Sequence, residues 1–142
     1  MFAAKTSLTP DEQLADEVSR FYADPLGFVM FAYPWDTDKS IQICKLPEPW
    51  SLVYNSEWGP DAWACEFLDN IGRQVREHRF DGATPVEPIK EGVVSGHGIG
   101  KSAMVAWLVD WIRSTRPDSQ GTVTANTFQQ LSTKTWAQIA KW

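Results

Sequence analysis

Cysteine and histidine are both scarce in this 142-residue sequence, which holds two of each. Cys44 and Cys65 are too few for a disulfide scaffold, and no metal-ligand spacing surrounds them. Long apolar runs are missing as well. The opening MFAAKTSLTPDEQ lacks the apolar stretch of a signal peptide, and nothing later approaches the roughly 20 apolar residues a membrane-spanning helix needs. Basic charge is in short supply: 13 Lys and Arg stand against 18 Asp and Glu, a formal net charge of −5 at pH 7. A protein that coats DNA would be more basic. Charged residues of both signs reach only 22%, which disfavours a wholly disordered chain, and 43% hydrophobic residues suffice for the core of one domain. Together these shortages exclude the secreted, membrane and zinc-module classes and leave a cytoplasmic domain as the expectation.

What is present is unevenly spread. Residues 1–70 carry 4 basic and 12 acidic side chains, whereas residues 71–142 carry 9 basic and 6 acidic ones. A phosphate-rich ligand is therefore expected on the second half. Eight tryptophans are an unusual load for this length, and packing explains most of them, because indoles bury large apolar areas.

Helix signals open the chain. Thr9 can cap, Pro10 fits the first helical position, and Glu12 stands at the capping-box spacing; Leu14, Val18 and Phe21 then recur at helical intervals. Asp24-Pro25 starts a short second helix with Leu26, Val29, Met30 and Tyr33 on its apolar side, and Pro34 ends it. From Trp35 to Pro60 the periodicity fails, apart from a strand fragment expected at Ile41–Cys44. Pro60-Asp61 opens a third helix carrying Trp63, Phe67, Leu68, Ile71 and Val75; His78 complements its negative end, and Arg73, Arg76 and Arg79 either do the same on a solvated face or contact DNA. After a turn-rich break at 81–88, Ile89–Val94 reads as a strand, SGHGIGKS as a glycine-rich loop, and Ala103–Arg113 as a helix. The apolar face of that helix is expected to be Val105, Leu108, Val109 and Ile112. Thr122–Ala125 reads as a second strand, and Asn126 or Thr127 caps a final helix through Leu131, Trp136 and Ile139.

The chemistry lies in the glycine-rich loop. Ser95-Gly96-His97-Gly98-Ile99-Gly100-Lys101-Ser102 supplies the Gly-Lys-Ser ending of a phosphate-binding loop, with Ser95 in place of its first glycine. Glycines let backbone N–H groups turn inward as an anion nest, and a helix start adds positive potential. In that pattern Lys101 reaches the terminal phosphates and the Ser102 hydroxyl ligates Mg²⁺. His97 either meets the terminal phosphate or faces solvent. Cys44 and Cys65 have no histidine placed to activate them, and the carboxylate pairs Asp36/Asp38 and Asp16/Glu17 sit in polar contexts.

The run EGVVSGHGIGKSAMVAWLVDWI, followed by TVTANTFQQLSTKTWAQIAKW, resembles the start of the ATPase domain of tailed-bacteriophage terminase large subunits. The tract GPDAWACEFLDNIGRQV resembles the helix that precedes the loop there, so the resemblance covers roughly residues 55–142. It implies an α/β fold: an incomplete P-loop NTPase domain of the ASCE type, ordered strand, loop, helix, strand, helix. Residues 1–59 would be a helical and irregular N-terminal segment, and 60–142 the truncated start of the ATPase domain. It further implies ATP and Mg²⁺ as cofactors, with viral double-stranded DNA, a portal and a small terminase subunit as partners. The setting would be the cytoplasm of an infected or lysogenic bacterium.

Carried over by position, Ser95 to Ser102 would hold the nucleotide's phosphates and Trp63 would lie on the adenine side. Ala64 stands where the family commonly has a glutamine, so paired amide contacts to adenine are lost. Thr124, Asn126 and Thr127 match the strand end beside the phosphates. The acidic strand that positions Mg²⁺ and the nuclease carboxylates have no counterpart here, so an N-terminal fragment, inactive alone and marginally stable with open strand edges, is expected. Two other readings stay open: an assembly module engaging partners through Asp11, Glu12, Asp16 and Glu17, or part of another NTPase such as a helicase or replication-initiation ATPase.

Overall fold

In the computed structural model, which describes residues 8–142, the chain enters its first helix at Thr9 as the capping signal requires. The Glu12 amide donates to Thr9 Oγ1 at 3.3 Å and the Thr9 amide to Glu12 Oε2 at 2.7 Å, closing the reciprocal box. This α1 (Pro10–Ser19) stays at the surface. Residues 1–7 of the expected N-terminal segment lie outside the described residues.

Asp24 caps α2 (Pro25–Ala32), its carboxylate accepting from the Gly27 amide at 2.9 Å. PLGFVMFA has no polar side chain, and a helix apolar all round belongs in a core. Leu26, Phe28 and Val29 are accordingly buried. A short α3 (Trp50–Tyr54) interrupts the irregular stretch that follows. Asp61 then caps α4 (Ala62–Glu77), whose buried Ala64, Cys65, Leu68, Ile71 and Val75 form one helical stripe against α2. Gly72 lies on that stripe because a Cβ there would come within 3.0 Å of the Ala23 carbonyl oxygen.

The glycine loop delivers the chain into α5 (Lys101–Thr115), which packs on α1 and α2. Thr127 caps the last helical run: α6 (Phe128–Gln130), a π-helical turn over Leu131–Thr135, and α7 (Trp136–Lys141) lying against α5. One hydrophobic cluster joins Leu26, Val29, Trp35, Leu68, Val75, Trp107 and Trp111. Trp111 donates its indole N–H to the Phe21 carbonyl at 2.7 Å. Arg116 stacks between the rings of Tyr22 and Trp111, 4.0 and 4.2 Å from their centres, so the end of α5 is tied to the turn after α1. The tryptophans pack as their bulk requires, all at least half-buried except Trp136.

Three expectations fail here. The first is the fold class. Among the described residues there is no strand and no sheet, so the α/β architecture of an incomplete P-loop NTPase gives way to a helical one. Ile89–Val94 and Thr122–Ala125 belong to no helix or strand: no backbone hydrogen bond joins either to anything, and Val94 is fully exposed. Extended chain becomes strand only with a neighbour in its ladder.

Side chains of α4 hold the first segment instead. Trp63 donates to the Ile99 carbonyl at 3.1 Å, Asn70 donates to the Glu91 carboxylate at 2.8 Å alongside Gln74, and His78 Nδ1 lies 3.0 Å from the Glu87 carbonyl.

The second correction concerns Ile41–Cys44, which is not a strand. A single antiparallel bridge forms one residue later, between Lys45 and Trp58, with the Leu46 amide on the Glu57 carbonyl at 2.9 Å.

The third is the face of α5. It buries Met104, Trp107, Trp111 and Thr115, while Ile112 is 39% exposed and Val105, Leu108 and Val109 are half-buried. The larger area of two indoles decides which side turns inward.

Candidate functional site

Residues 95–102 come together as a loop wrapped around a lysine. Gly98 and Gly100 both have φ of +83°, the left-handed region that side chains avoid. Ser95, standing where the loop pattern has glycine, is not among the residues with positive φ, so serine is accommodated there without strain. Gly100 is the last residue before α5, which starts at Lys101. The Lys101 ammonium folds back and donates to Ser95 Oγ at 2.8 Å, the Ser95 carbonyl at 3.1 Å and the Gly96 carbonyl at 2.6 Å. Its three donors are thereby matched to three neutral oxygens. Ser102 is half-buried in the first turn of α5, and its hydroxyl makes no hydrogen bond among the described residues. His97 and Gly96 are exposed.

One sequence-predicted residue outside the loop joins it. Trp63, in the first turn of α4, reaches across to the Ile99 carbonyl, so the loop and the indole expected beside it share one wall. Thr124, Asn126 and Thr127 are exposed; Thr127 serves as the cap of α6, accepting from the Gln130 amide at 3.2 Å. Ala64 is buried in the α4 stripe beside the same space.

That space is a cavity of about 190 Å³ between the loop, the start of α4 and the irregular stretch. Residues that sequence reasoning did not place at the site line it: Trp35, Ile41, Cys44, Trp107 and Trp142. Trp35, Trp107 and Trp142 form an aromatic cluster, with ring centres 5.2 to 5.8 Å apart. The only local hint was the density of tryptophan. Burial, then the nearby Asp61 charge, raise the Cys44 thiol, which therefore stays protonated at neutral pH. Behind the cluster Tyr33 donates to Asp110 on α5 at 2.8 Å. Burial first, and then that carboxylate, push the phenol well above the ordinary tyrosine range.

For Mg²⁺, the donor set offered by this chain is the free Ser102 hydroxyl one residue beyond Lys101. A single hydroxyl suits a cation that takes its remaining ligands from phosphate oxygens and water. No group of three or more His, Cys, Asp or Glu among the described residues could hold a metal ion. No helix among them is long and apolar enough to cross a membrane. Compared with known protein families, curated proteins and solved structures, the chain matches none.

Proposed function

We propose that the chain binds the polyphosphate of ATP through Ser95–Ser102, with Mg²⁺ ligated by Ser102. We further propose that it does so as the nucleotide-binding part of a viral DNA-packaging motor. The motor setting rests on the resemblance to terminase large subunits; double-stranded DNA, portal and small terminase subunit would be its partners there.

The observation that carries the binding reading is the lysine-centred loop. Left-handed Gly98 and Gly100 turn the backbone at the mouth of α5, where the helix offers its unbonded N–H groups and positive end. Lys101 is held only by neutral acceptors. An ionised phosphate oxygen adds the attraction of opposite charges to the hydrogen bond, which neutral oxygens do not offer, so it can take the ammonium from them. Acidic residues of α1, the basis of an assembly reading, are partly used locally: Glu12 in the capping box and Asp16 with Arg20 at 3.2 Å.

Lys101→Ala is the test. Tryptophan fluorescence should change when Mg-ATP is added to the wild type, because Trp63 bonds the loop and Trp107 lies on α5. The variant should give no change. Equal responses from the two proteins would refute the reading.

A further inference from the structure

The cavity beside the loop has polar groups that the phosphate reading leaves idle. Gly98 to Gly100 form one wall, and Trp35, Trp63, Trp107 and Trp142 supply its aromatic lining. Its 190 Å³ falls below the ~300 Å³ at which pockets begin to enclose a whole drug-sized ligand. It can take one flat ring while the remainder of the ligand lies outside along the loop. Trp107 is 6% exposed, and its indole N–H is buried with no acceptor. Such an orphaned donor is uncommon.

Asp61 lines the same cavity. Its Oδ1 accepts from the Ala64 amide at 3.3 Å, capping α4, while no described group donates to Oδ2. Trp35 and Trp142 each meet Trp107 edge to face, at 77° and 80°, and the cluster gives the cavity an aromatic wall suited to a flat ring.

We propose that the cavity seats the nucleobase of the nucleotide held by the loop, and that Asp61 selects an amino-bearing base by accepting from its exocyclic amine. This rests on the phosphate-binding reading of Ser95–Ser102. It moves base recognition from the position of Ala64, which offers no polar atom in its side chain, to the cap of α4.

Calorimetric titration of the full chain with ATP and with purine riboside 5′-triphosphate, which keeps the ring but lacks the amine, tests it. The wild type should bind ATP about ten-fold or more tightly, the worth of one charge-assisted hydrogen bond. Asp61→Ser keeps a side chain that caps helices well but withdraws the carboxylate, and should bring the two affinities together. Equal affinities in the wild type, both lost in Lys101→Ala, would overturn the base reading and leave the phosphate loop standing. Lys101-dependent binding of inorganic tripolyphosphate without binding of either nucleotide would do the same. Binding of none of the three would overturn both.

Discussion

The three loop glycines at 96, 98 and 100 look equivalent in the sequence and should behave differently when replaced by alanine. A Cβ added at any of them meets nothing within 4 Å, so no steric term enters. Only the backbone separates them. Gly98 and Gly100 sit at φ +83°, and Gly96 is not in the left-handed region. Forcing an L-residue there costs about 1–2 kcal/mol. Lower freedom of the unfolded chain returns about 0.4–1 kcal/mol. The net loss is roughly 1 kcal/mol each for Gly98→Ala and Gly100→Ala, while Gly96→Ala should be neutral or slightly stabilising. How that loss appears depends on the free loop. If it stays left-handed, the melting temperature falls by about 3–4 °C. If it relaxes, stability is kept and Mg-ATP affinity falls about five-fold, because binding must restore the turn. Thermal melts with and without Mg-ATP, read by tryptophan fluorescence, measure both parts. A loss in Gly96→Ala equal to the other two, or no loss in any, would refute the assignment of the turn to Gly98 and Gly100.

Leu68 is 0% exposed in the α4 stripe, so Leu68→Ala should cost about 3 kcal/mol in urea unfolding. Tyr33→Phe removes the donor to Asp110 and should cost about 1–2 kcal/mol, measured the same way. Burial, aided by Asp69, Asp61 and Glu66, pushes the Cys65 thiol up to about 12 from an ordinary 9.0. The unfolded chain then releases this proton first, so stability should fall as pH rises from the ordinary value towards 12, and Cys65→Ala should flatten that slope. With a thiol reagent on the folded protein, half-buried Cys44 should react and Cys65 should not.

Helices were legible where a local device starts them. Thr9, Asp24, Asp61 and Thr127 each cap a helix whose first residues the sequence marks with proline, aspartate or threonine. Those signals act within one turn, so the rest of the chain cannot override them easily. Strands carry no such device. EGVV and TVTA have strand-forming residues, yet their pairing depends on a second segment reaching the same place, and no described segment does. The face of α5 failed for a related reason. Val105, Leu108, Val109 and Ile112 are as well spaced as Met104, Trp107, Trp111 and Thr115, and only Trp35, Phe21 and Trp142 on the far side decide between them.

The site was legible as a list of neighbours along the chain and not as a cavity. Residues 95–102 carry their chemistry in sequence, whereas Trp35, Ile41 and Trp142 arrive from remote positions. One long-range relation was nevertheless written in α4. Trp63, Asn70, Gln74 and His78 stand seven, four and four residues apart, which places them on one face of a helix. Their partners run in the reverse order: Ile99, then Glu91 for the two amides, then Glu87. A polar stripe on α4 thus docks the segment leading into the loop, antiparallel and without a sheet. The segment leading into the loop is therefore held to α4 through side-chain hydrogen bonds, while Lys101 itself begins the packed helix α5. Glu91→Ala, which removes the acceptor shared by Asn70 and Gln74, should leave global stability nearly unchanged while speeding limited proteolysis within residues 89–99. If cleavage there is unaffected, something other than this stripe holds the loop.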